Sequence, residues 1–178
     1  EIEGFGDHRT ARILQRGFAK LGMDWQLGPH QSRVRCGQTF TVQSEIGRTI
    51  PTLEDGIWPA FPSDLLSVAI VLATQAHGSV LFFEKLFESR LYFVDRLIEM
   101  GAQIIQCDPH RVVVQGPTSL HAVHMSSPDI RAGMAMVVAA LCAEGESIIE
   151  NADFIDRGYE NIEGRLRELG ADIVRDLA

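Results

Sequence analysis

Hydrophobic residues along the chain form two kinds of helical pattern. In the first kind, apolar residues recur at the three-and-four spacing that lines one face of a helix. This pattern occurs near the start of the chain and near its end: Leu14, Phe18 and Leu21; Tyr159, Ile162, Leu166 and Leu169. The second kind is apolar nearly all round, in the stretches 65–74 and 132–143, and such helices are buried on every side. We therefore predict amphipathic helices on an outer face and apolar helices in the core.

Glycines mark the ends of the predicted helices. The amphipathic helices end in Leu-Gly or Met-Gly, at Gly22, Gly101 and Gly170, where a helix C-terminus commonly takes a left-handed conformation. The apolar helices begin with Ser, Pro and Asp, which favour a helix start, and they end at Gly78 and Gly145. The same order of signals recurs along the chain, which indicates an internal repeat.

The spacing of these signals supports a duplication. Gly78 and Gly145 are 67 residues apart, and so are Arg90 and Arg157. Each unit is predicted to have the order β-α-β-α-β-β, with sheets outside and apolar helices inside. The sequence thus predicts one α/β (α+β) domain over residues 1–178, with units at about 1–57 (incomplete), 58–124 and 125–178.

Two further strand predictions complete this reading. The segments 102–106 and 111–114 are strand-like, and the turn signal Cys107-Asp-Pro-His110 between them predicts a hairpin. The segment 39–42 is also strand-like and belongs to the first, incomplete unit.

The composition excludes some classes of protein. Hydrophobic residues make up 46% and charged residues 22%, which is an ordinary globular balance. The net charge of −8 argues against a nucleic-acid partner, because nucleic-acid domains concentrate basic charge. The longest apolar stretch, 132–143, is shorter than the roughly 20 residues of a membrane span, so we expect a buried helix and no membrane association.

The cysteines and the start of the chain bear on its origin. Cys36, Cys107 and Cys142 are far apart and lack CxxC pairing, so we expect buried, reduced thiols and a cytoplasmic protein. The chain opens at Glu1 without an initiator Met or a signal-peptide pattern, from which we expect a fragment or a processed protein.

Charged residues recur at the predicted helix starts. Asp64 and Asp129 precede the two apolar helices, where each could simply complement the helix dipole. Arg131 lies two residues beyond Asp129, and Arg90 and Arg157 occupy matching places in the two units. Any one Arg could serve a surface salt bridge, but Arg also suits bidentate recognition of carboxylate or phosphate. Their recurrence indicates a polar cluster at one end of the helical core.

Other motifs are weak. His121 and His124 are three apart in a strand-like segment, so they face opposite ways and are poorly placed to share a metal. The pair Gly4 and Gly6 lacks the third glycine and the preceding strand of a dinucleotide-binding loop. We therefore expect no metal and no cofactor.

Four strings together resemble the UDP-N-acetylglucosamine enolpyruvyl transferases, over about residues 10–175. They are Trp58-Pro-Ala-Phe-Pro-Ser-Asp64-Leu, Phe87-Glu-Ser-Arg90, Asp129-Ile-Arg131-Ala and Ile155-Asp-Arg157-Gly-Tyr-Glu160. The resemblance implies an inside-out α/β barrel of β-α-β-α-β-β units, with this chain similar to the C-terminal domain of a two-domain enzyme. That family transfers enolpyruvyl from phosphoenolpyruvate to the 3′-hydroxyl of UDP-N-acetylglucosamine and releases phosphate, in peptidoglycan synthesis.

The resemblance also implies roles for single residues on the sugar-nucleotide side. Asp64 matches the carboxylate that contacts the 3′-hydroxyl and is proposed as its general base. Leu86 matches a position whose backbone touches the nucleotide sugar. Ser89 departs from the family, which usually has Asn there.

On the phosphoenolpyruvate side, the resemblance implies that Arg131 and Arg157 bind the anion. Asp129 matches a second acidic residue near the reacting carbon, and Arg90 matches a supporting Arg. The run Gly133-Met-Ala-Met136 replaces the usual run of small residues.

The chain lacks a match for the Lys-Asn pair and the loop Cys that belong to the family's other domain, so we expect this chain alone to be inactive. Two alternatives stay open. One is the sibling enzyme that transfers enolpyruvyl to shikimate 3-phosphate, which lacks the Asp-Ile-Arg-Ala and Asp-Arg-Gly-Tyr-Glu strings. The other is a non-catalytic binding module that keeps the fold.

Overall fold

Two almost entirely apolar helices lie at the centre of the fold, as the sequence predicts. The structure is a computed structural model that describes residues 2–5, 8–44, 47 and 49–176. The central helices are α2 (Leu66–Thr74), which follows a short 3₁₀ turn at Ser63–Leu65, and α4 (Ile130–Leu141). They pack against each other, and the Ser67 hydroxyl donates to the Arg131 carbonyl at 3.3 Å to join their first turns. Their N-terminal ends therefore lie together.

Four other helices in the described ranges lie around this pair. They are α1 (Arg9–Ala19), α3 (Val94–Glu99), α5 (Asp153–Asp156) and α6 (Ile162–Glu168). The apolar face predicted for the first helix is confirmed, since Leu14, Phe18 and Leu21 are buried. For the last helix the prediction is wrong at Leu169, which is 84% exposed because α6 ends one residue earlier. The other residues of the predicted face do pack inward: Ile162 is buried, and Tyr159 and Leu166 are partly buried against the same cluster.

The glycines predicted to end the amphipathic helices all have positive φ. Gly22, Gly101 and Gly170 have φ of 86°, 102° and 95°. At Gly22 a side chain would also collide with the backbone of Thr41, so the chain turns there against another segment.

The strands form several small sheets. They are β1 (Ile2–Glu3), β2 (Trp25–Leu27), β3 (Gln31–Val34), β4 (Thr52–Glu54), β5 (Gly78–Phe83), β6 (Gln103–Asp108), β7 (Arg111–Gly116), β8 (Leu120–His121), β9 (His124–Ser126), β10 (Ala143–Glu144) and β11 (Ile148–Glu150). The largest sheet has the order β4-β5-β7-β6, and a second has the order β1-β3-β2. Two parallel pairs, β8–β10 and β9–β11, complete the set. Within the described ranges the sheets do not close into a barrel.

The two central helices are flanked by the same kind of strand pairing. Strand β4 precedes α2 and pairs in parallel with β5, which follows it. Strand β9 precedes α4 and pairs in parallel with β11, which follows that helix. Each central helix is thus the connection between two parallel neighbours.

The predicted hairpin is confirmed, because β6 and β7 pair in antiparallel fashion around the turn that contains His110. The predicted strand over 39–42 is wrong: the structure has only an isolated bridge between Thr41 and His77. The segment pairs with its neighbour at His77 alone, so no continuous strand ladder forms there.

The expectation of buried cysteines is wrong. Cys36, Cys107 and Cys142 are free thiols, but all three residues are exposed. Cys36 follows β3 in a turn, Cys107 lies on the edge strand β6, and Cys142 caps the end of α4, so each lies where its element meets the surface. Burial of the sulfur atom nevertheless raises the pKa of Cys142. The stretch 132–143 largely forms α4, and no helix among the described residues has the length and apolarity to cross a membrane.

Candidate active site

A pocket of about 230 Å³ opens where the N-terminal ends of α2 and α4 meet. Its polar lining comes from both helix starts and from the segment after β5: Ser63, Ser67, Glu84, Arg90, Asp129 and Arg131. Three of the six site residues predicted from the sequence, Arg90, Asp129 and Arg131, therefore line the same pocket. The volume suits a small anion better than a complete sugar nucleotide, since sites for larger ligands occupy about 300–1,000 Å³.

Asp64 lies at the rim of this pocket and is held by two arginines. Its Oδ1 accepts a very short hydrogen bond from Arg131 Nε and lies 3.5 Å from Arg90 Nη1. The side chain of Asp64 is 64% exposed, and the 3₁₀ turn in which it lies has no side-chain cap. Both contacts use Oδ1, so the carboxylate can turn Oδ2 toward a ligand.

Asp129 has a different task, although it holds the matching place before α4. Its Oδ1 accepts hydrogen bonds from the backbone N–H groups of Arg131 at 2.7 Å and Ala132 at 3.0 Å. It is therefore the N-cap of α4, which satisfies donors that the first helical turn would otherwise leave free. The two aspartates that the sequence makes equivalent are unequal in the structure.

Arg90 is held by three neighbours: Ser63, Phe87 and Asp64. Its Nη1 donates to the Ser63 hydroxyl at 2.6 Å, and its guanidinium lies 3.7 Å from the ring centroid of Phe87. The side chain is only 21% exposed. Ser89, immediately before it, has φ of 64°, a left-handed conformation that Asn adopts more readily than Ser.

Glu84 is a site residue that the sequence reasoning missed. It is 1% exposed, lines the pocket, and accepts a hydrogen bond from Ser63 at 3.0 Å to each oxygen. Burial first, and then the neighbouring Asp55 carboxyl, raise the pKa of Glu84 from 4.5 to about 7. The sequence carried little signal: Glu84 directly follows the apolar strand β5, but its neighbour Asp55 follows the short strand Thr52–Glu54, which is not apolar.

Two predicted residues lie outside the pocket lining. Leu86 is 40% exposed in the segment after β5. Arg157 follows α5 as an exposed residue and makes no ion pair with another described residue. Burial first, and then the negative charge of Asp64, raise the pKa of the nearby Tyr159 phenol, and Arg131 opposes them. The turn that carries Arg157 therefore adjoins the Asp64 end of the pocket.

Metal ligands were not expected at this site. Over the described part of the chain, no three His, Cys, Asp or Glu side chains come together as a metal site. The pocket instead combines fixed guanidinium groups with carboxylates, an arrangement that binds an anion and accepts a proton beside it.

Comparison with known families gives a consistent result. The model of the family described as EPSP synthase (3-phosphoshikimate 1-carboxyvinyltransferase) matches residues 2–166. The chain is 55% identical over 164 residues to the UDP-N-acetylglucosamine 1-carboxyvinyltransferase of Bradyrhizobium diazoefficiens, covering 92% of this chain and 38% of that protein. It is 52% identical over 165 residues to the enzyme of the same name from Treponema denticola, covering 93% and 39%. The chain thus spans about two fifths of the length of these relatives.

Solved structures show the same fold. The enolpyruvyl transferase NikO from Streptomyces tendae superposes with a TM-score of 0.79 at 21% identity, over 94% of this chain and 37% of that one. An EPSP synthase from Acinetobacter baumannii superposes with a TM-score of 0.69 at 17% identity, over 98% and 39%. At these identities the likeness concerns the fold alone.

Proposed function

Because this chain belongs to the EPSP synthase family of carboxyvinyltransferases, we propose that it is part of an enzyme that transfers enolpyruvyl from phosphoenolpyruvate to UDP-N-acetylglucosamine. The acceptor is the 3′-hydroxyl, and phosphate is released. One observation carries this proposal: over nearly its whole length, the chain is more than 50% identical in sequence to relatives named for that substrate. The pocket supports it, since it joins a carboxylate to two guanidinium groups.

The chemistry needs a base for the sugar hydroxyl and a proton donor for the methylene carbon. We assign the base to Asp64, whose Oδ2 would accept the hydroxyl proton while Oδ1 stays against Arg131. The hydroxyl oxygen bonds to the enol carbon while the methylene carbon gains a proton. The bond from the enol carbon to the phosphate oxygen then breaks as the new methyl group loses a proton, which restores the double bond of the enolpyruvyl product. The proton donor would come from the part of the enzyme outside this chain.

The anionic substrate needs positive groups that are fixed before it binds. We assign this role to Arg131 and Arg157, with Arg90 in support, and we place Asp129 near the reacting carbon. Arg90 and Arg131 already line one pocket, and the turn of Arg157 adjoins it. Leu86 would contact the nucleotide sugar through its backbone from the exposed segment after β5.

We further propose that residues 1–178 are the C-terminal domain of a two-domain enzyme built as an inside-out α/β barrel. Its units would be at about 1–57, 58–124 and 125–178. Two observations support this proposal. The chain spans about two fifths of the length of its relatives, and α2 and α4 each connect a pair of parallel strands. The other domain would be the partner that completes the cleft, in a cytoplasmic enzyme.

Transfer to shikimate 3-phosphate is the second candidate, because the matching family model is named for that reaction. The chain is only 17% identical to the Acinetobacter baumannii EPSP synthase, against 55% to the Bradyrhizobium diazoefficiens relative. A binding module without catalysis would keep the same fold and pocket.

Phosphate release by the full-length protein separates these three functions. Phosphoenolpyruvate is supplied with either UDP-N-acetylglucosamine or shikimate 3-phosphate, and product is identified by mass. We expect turnover with the sugar nucleotide only, and no turnover by the 178-residue chain alone. Turnover with shikimate 3-phosphate would establish the second candidate, and binding without turnover in either mixture would establish the binding module.

A further inference from the structure

A pair of buried carboxyl groups lies directly behind the pocket. We propose that Glu84 is a positioning residue that shares one proton with Asp55 and, through Ser63, holds Arg90 in place beside Asp64. The expected effect on catalysis rests on the proposed function. The protonation of Glu84 does not.

The sheet brings the two carboxyl groups together. In the parallel pairing of β4 with β5, Glu54 lies opposite Phe83, so the next residues, Asp55 and Glu84, are neighbours. The Asp55 N–H donates to the Phe83 carbonyl at 3.2 Å, which continues the ladder to this point. Both side chains are 1% exposed, so water cannot separate their charges.

One oxygen of Asp55 needs a hydrogen-bond donor, and Glu84 is the neighbour that can supply it. Its Oδ1 accepts the Lys85 N–H at 2.5 Å, but its buried Oδ2 has no donor among the described residues. A buried acceptor without a donor is costly, and two adjacent buried carboxylates do not both ionise. One proton on Glu84 answers both needs, because its O–H can donate to Asp55 Oδ2. The raised pKa of Glu84 agrees with this placement.

The shared proton fixes the direction of a hydrogen-bond chain that reaches the pocket. Arg90 can only donate, and its Nη1 donates to Ser63 Oγ at 2.6 Å. The Ser63 hydroxyl must then donate to Glu84, whose oxygens lie 3.0 Å away. Glu84 donates in turn to Asp55, so every group in the chain has its partner.

Few other charges face this pair. Arg90 opposes the effect of Asp55 on Glu84, because a positive charge favours the ionised form. His110 meets the backbone of Glu84: its Nδ1 lies 3.0 Å from the Glu84 carbonyl oxygen, and its own carbonyl accepts the Glu84 N–H at 2.9 Å. The Lys85 amine pairs with Glu54 at 2.7 Å. Asp129 and Arg131 line the pocket that Glu84 reaches. When Glu84 loses its proton, two negative charges lie behind Ser63 and compete with Asp64 for Arg90.

The variants follow from these contacts. In Glu84→Gln the amide can donate to Asp55 and accept from Ser63, so the protonated state is imitated at every pH. Ser63→Ala keeps the carboxyl pair but disconnects it from Arg90, and Glu84→Ala removes the acceptor of Ser63. The matched control is Glu99→Gln, which changes an exposed glutamate paired with Arg96 on α3.

The test measures kcat/KM for phosphoenolpyruvate against pH in the full-length protein. We expect the wild-type and Glu99→Gln proteins to lose activity as the pH rises through about 7, and Glu84→Gln to stay level across that range. At lower pH, Glu84→Gln should stay within about threefold of wild type. Ser63→Ala and Glu84→Ala should each fall about tenfold, the effect of one buried hydrogen bond. A wild-type decline that persists unchanged in Glu84→Gln would overturn the proposal.

Infrared spectroscopy and crystallography test the same proposal without turnover. Below pH 7 the wild-type protein should show a protonated-carboxyl band that Glu84→Gln lacks, and crystals should show Arg90 on residue 63 in Glu84→Gln but displaced in Glu84→Ala. A band unchanged in Glu84→Gln, or an Arg90 that stays in place in Glu84→Ala, would overturn it. If these results hold while the wild-type protein transfers no enolpyruvyl group, the proposed function fails and the positioning of Arg90 stands.

Discussion

Arg131 donates through Nε to the carboxylate of Asp64, although 67 residues separate them along the chain. Asp64 lies in the 3₁₀ turn that leads into α2, and Arg131 lies in the first turn of α4, so the contact spans the starts of both central helices. The resemblance of the sequence assigned these residues to different substrates. In the structure one ion pair joins the proposed base directly to one of the arginines proposed to bind the anion.

Replacing Asp64 by Ala should remove most of the transferase activity of the full-length protein. Loss of a general base costs about 10²- to 10⁴-fold in rate, and the arginines would also lose the carboxylate that orients them. Initial rates of phosphate release give the measurement. Asp95→Ala, at an exposed aspartate on α3, serves as the control and should be active. Turnover of Asp64→Ala close to that of Asp95→Ala would remove Asp64 from the mechanism.

The two aspartates should differ in their effect on stability. Asp129→Ala removes the N-cap of α4 and should lower the free energy of unfolding by about 1 kcal/mol. Asp64→Ala removes no capping bond, so its effect should be smaller. Urea denaturation of both variants beside wild type measures the difference. Equal losses would mean that Asp129 caps nothing in solution.

Gly133→Ala should destabilise the protein, although Gly to Ala usually stabilises a helix interior by up to about 1 kcal/mol. A Cβ at this position would lie 2.7 Å from Ile155 Cγ1 and would also meet Ser127 Oγ, so α4 and α5 would be pushed apart. We expect a loss of about 1–3 kcal/mol in the free energy of unfolding.

The control for this glycine is Gly164→Ala in α6, where the atoms nearest to the Cβ belong to the side chain of Asn161, an exposed residue that can turn away. That variant should be neutral or stabilising in the same denaturation experiment. Since α5 leads directly to Arg157, Gly133→Ala should also weaken phosphoenolpyruvate binding in calorimetry of the full-length protein. Wild-type stability in Gly133→Ala would show that the two helices are not closely packed there.

The contact between Asp156 and Arg175 should give the protein a stability that disappears in acid. Arg175 donates to both oxygens of Asp156, at 2.6 Å and 2.7 Å, and thereby lowers the pKa of that carboxyl below 3.8. A lowered pKa stabilises the folded state above the ordinary value and ceases to do so as the pH falls through the folded value. Arg175→Gln should therefore lower the melting temperature at neutral pH, and the difference from wild type should shrink below pH 3.8.

Arg165→Gln, which changes an exposed arginine on α6, is the matched control for charge and should show no such pH-dependent difference. A difference between Arg175→Gln and wild type that is the same in acid and at neutral pH would rule out the ion pair as its source.

The elements that sequence patterns predicted are those decided by local chemistry. Unbroken apolar runs gave the buried helices α2 and α4, and the glycines with positive φ ended the amphipathic helices. The hairpin of β6 and β7 followed from one turn signal. Here the period of the hydrophobic pattern and the backbone freedom of Gly determine the outcome within a few residues.

The failures concern contacts with distant segments. Whether Cys107 is covered depends on what pairs with the edge of β6, and its own strand-like surroundings carry no such information. Leu169 has the right spacing for a buried face, but α6 ends before it. In each case tertiary packing, not the local pattern, decides exposure.

The candidate site was predicted in part for the same reason. Repetition drew attention to Asp64, Arg90, Asp129 and Arg131, and these do converge. The sequence could not distinguish a capping aspartate from an ion-paired one, because that depends on how α2 packs against α4. Glu84 was missed because its importance comes from a neighbour on another strand.

The parallel pairing of β9 with β11 has a kinetic consequence. His124 pairs with Ile148, so the strands meet only after the chain has passed through the whole of α4. Closing such a loop loses chain entropy before the strand contacts that offset this loss can form. The β6–β7 hairpin needs only a tight turn. We therefore expect the local β6–β7 hairpin to form earlier in folding than the pairing of β9 with β11 across α4.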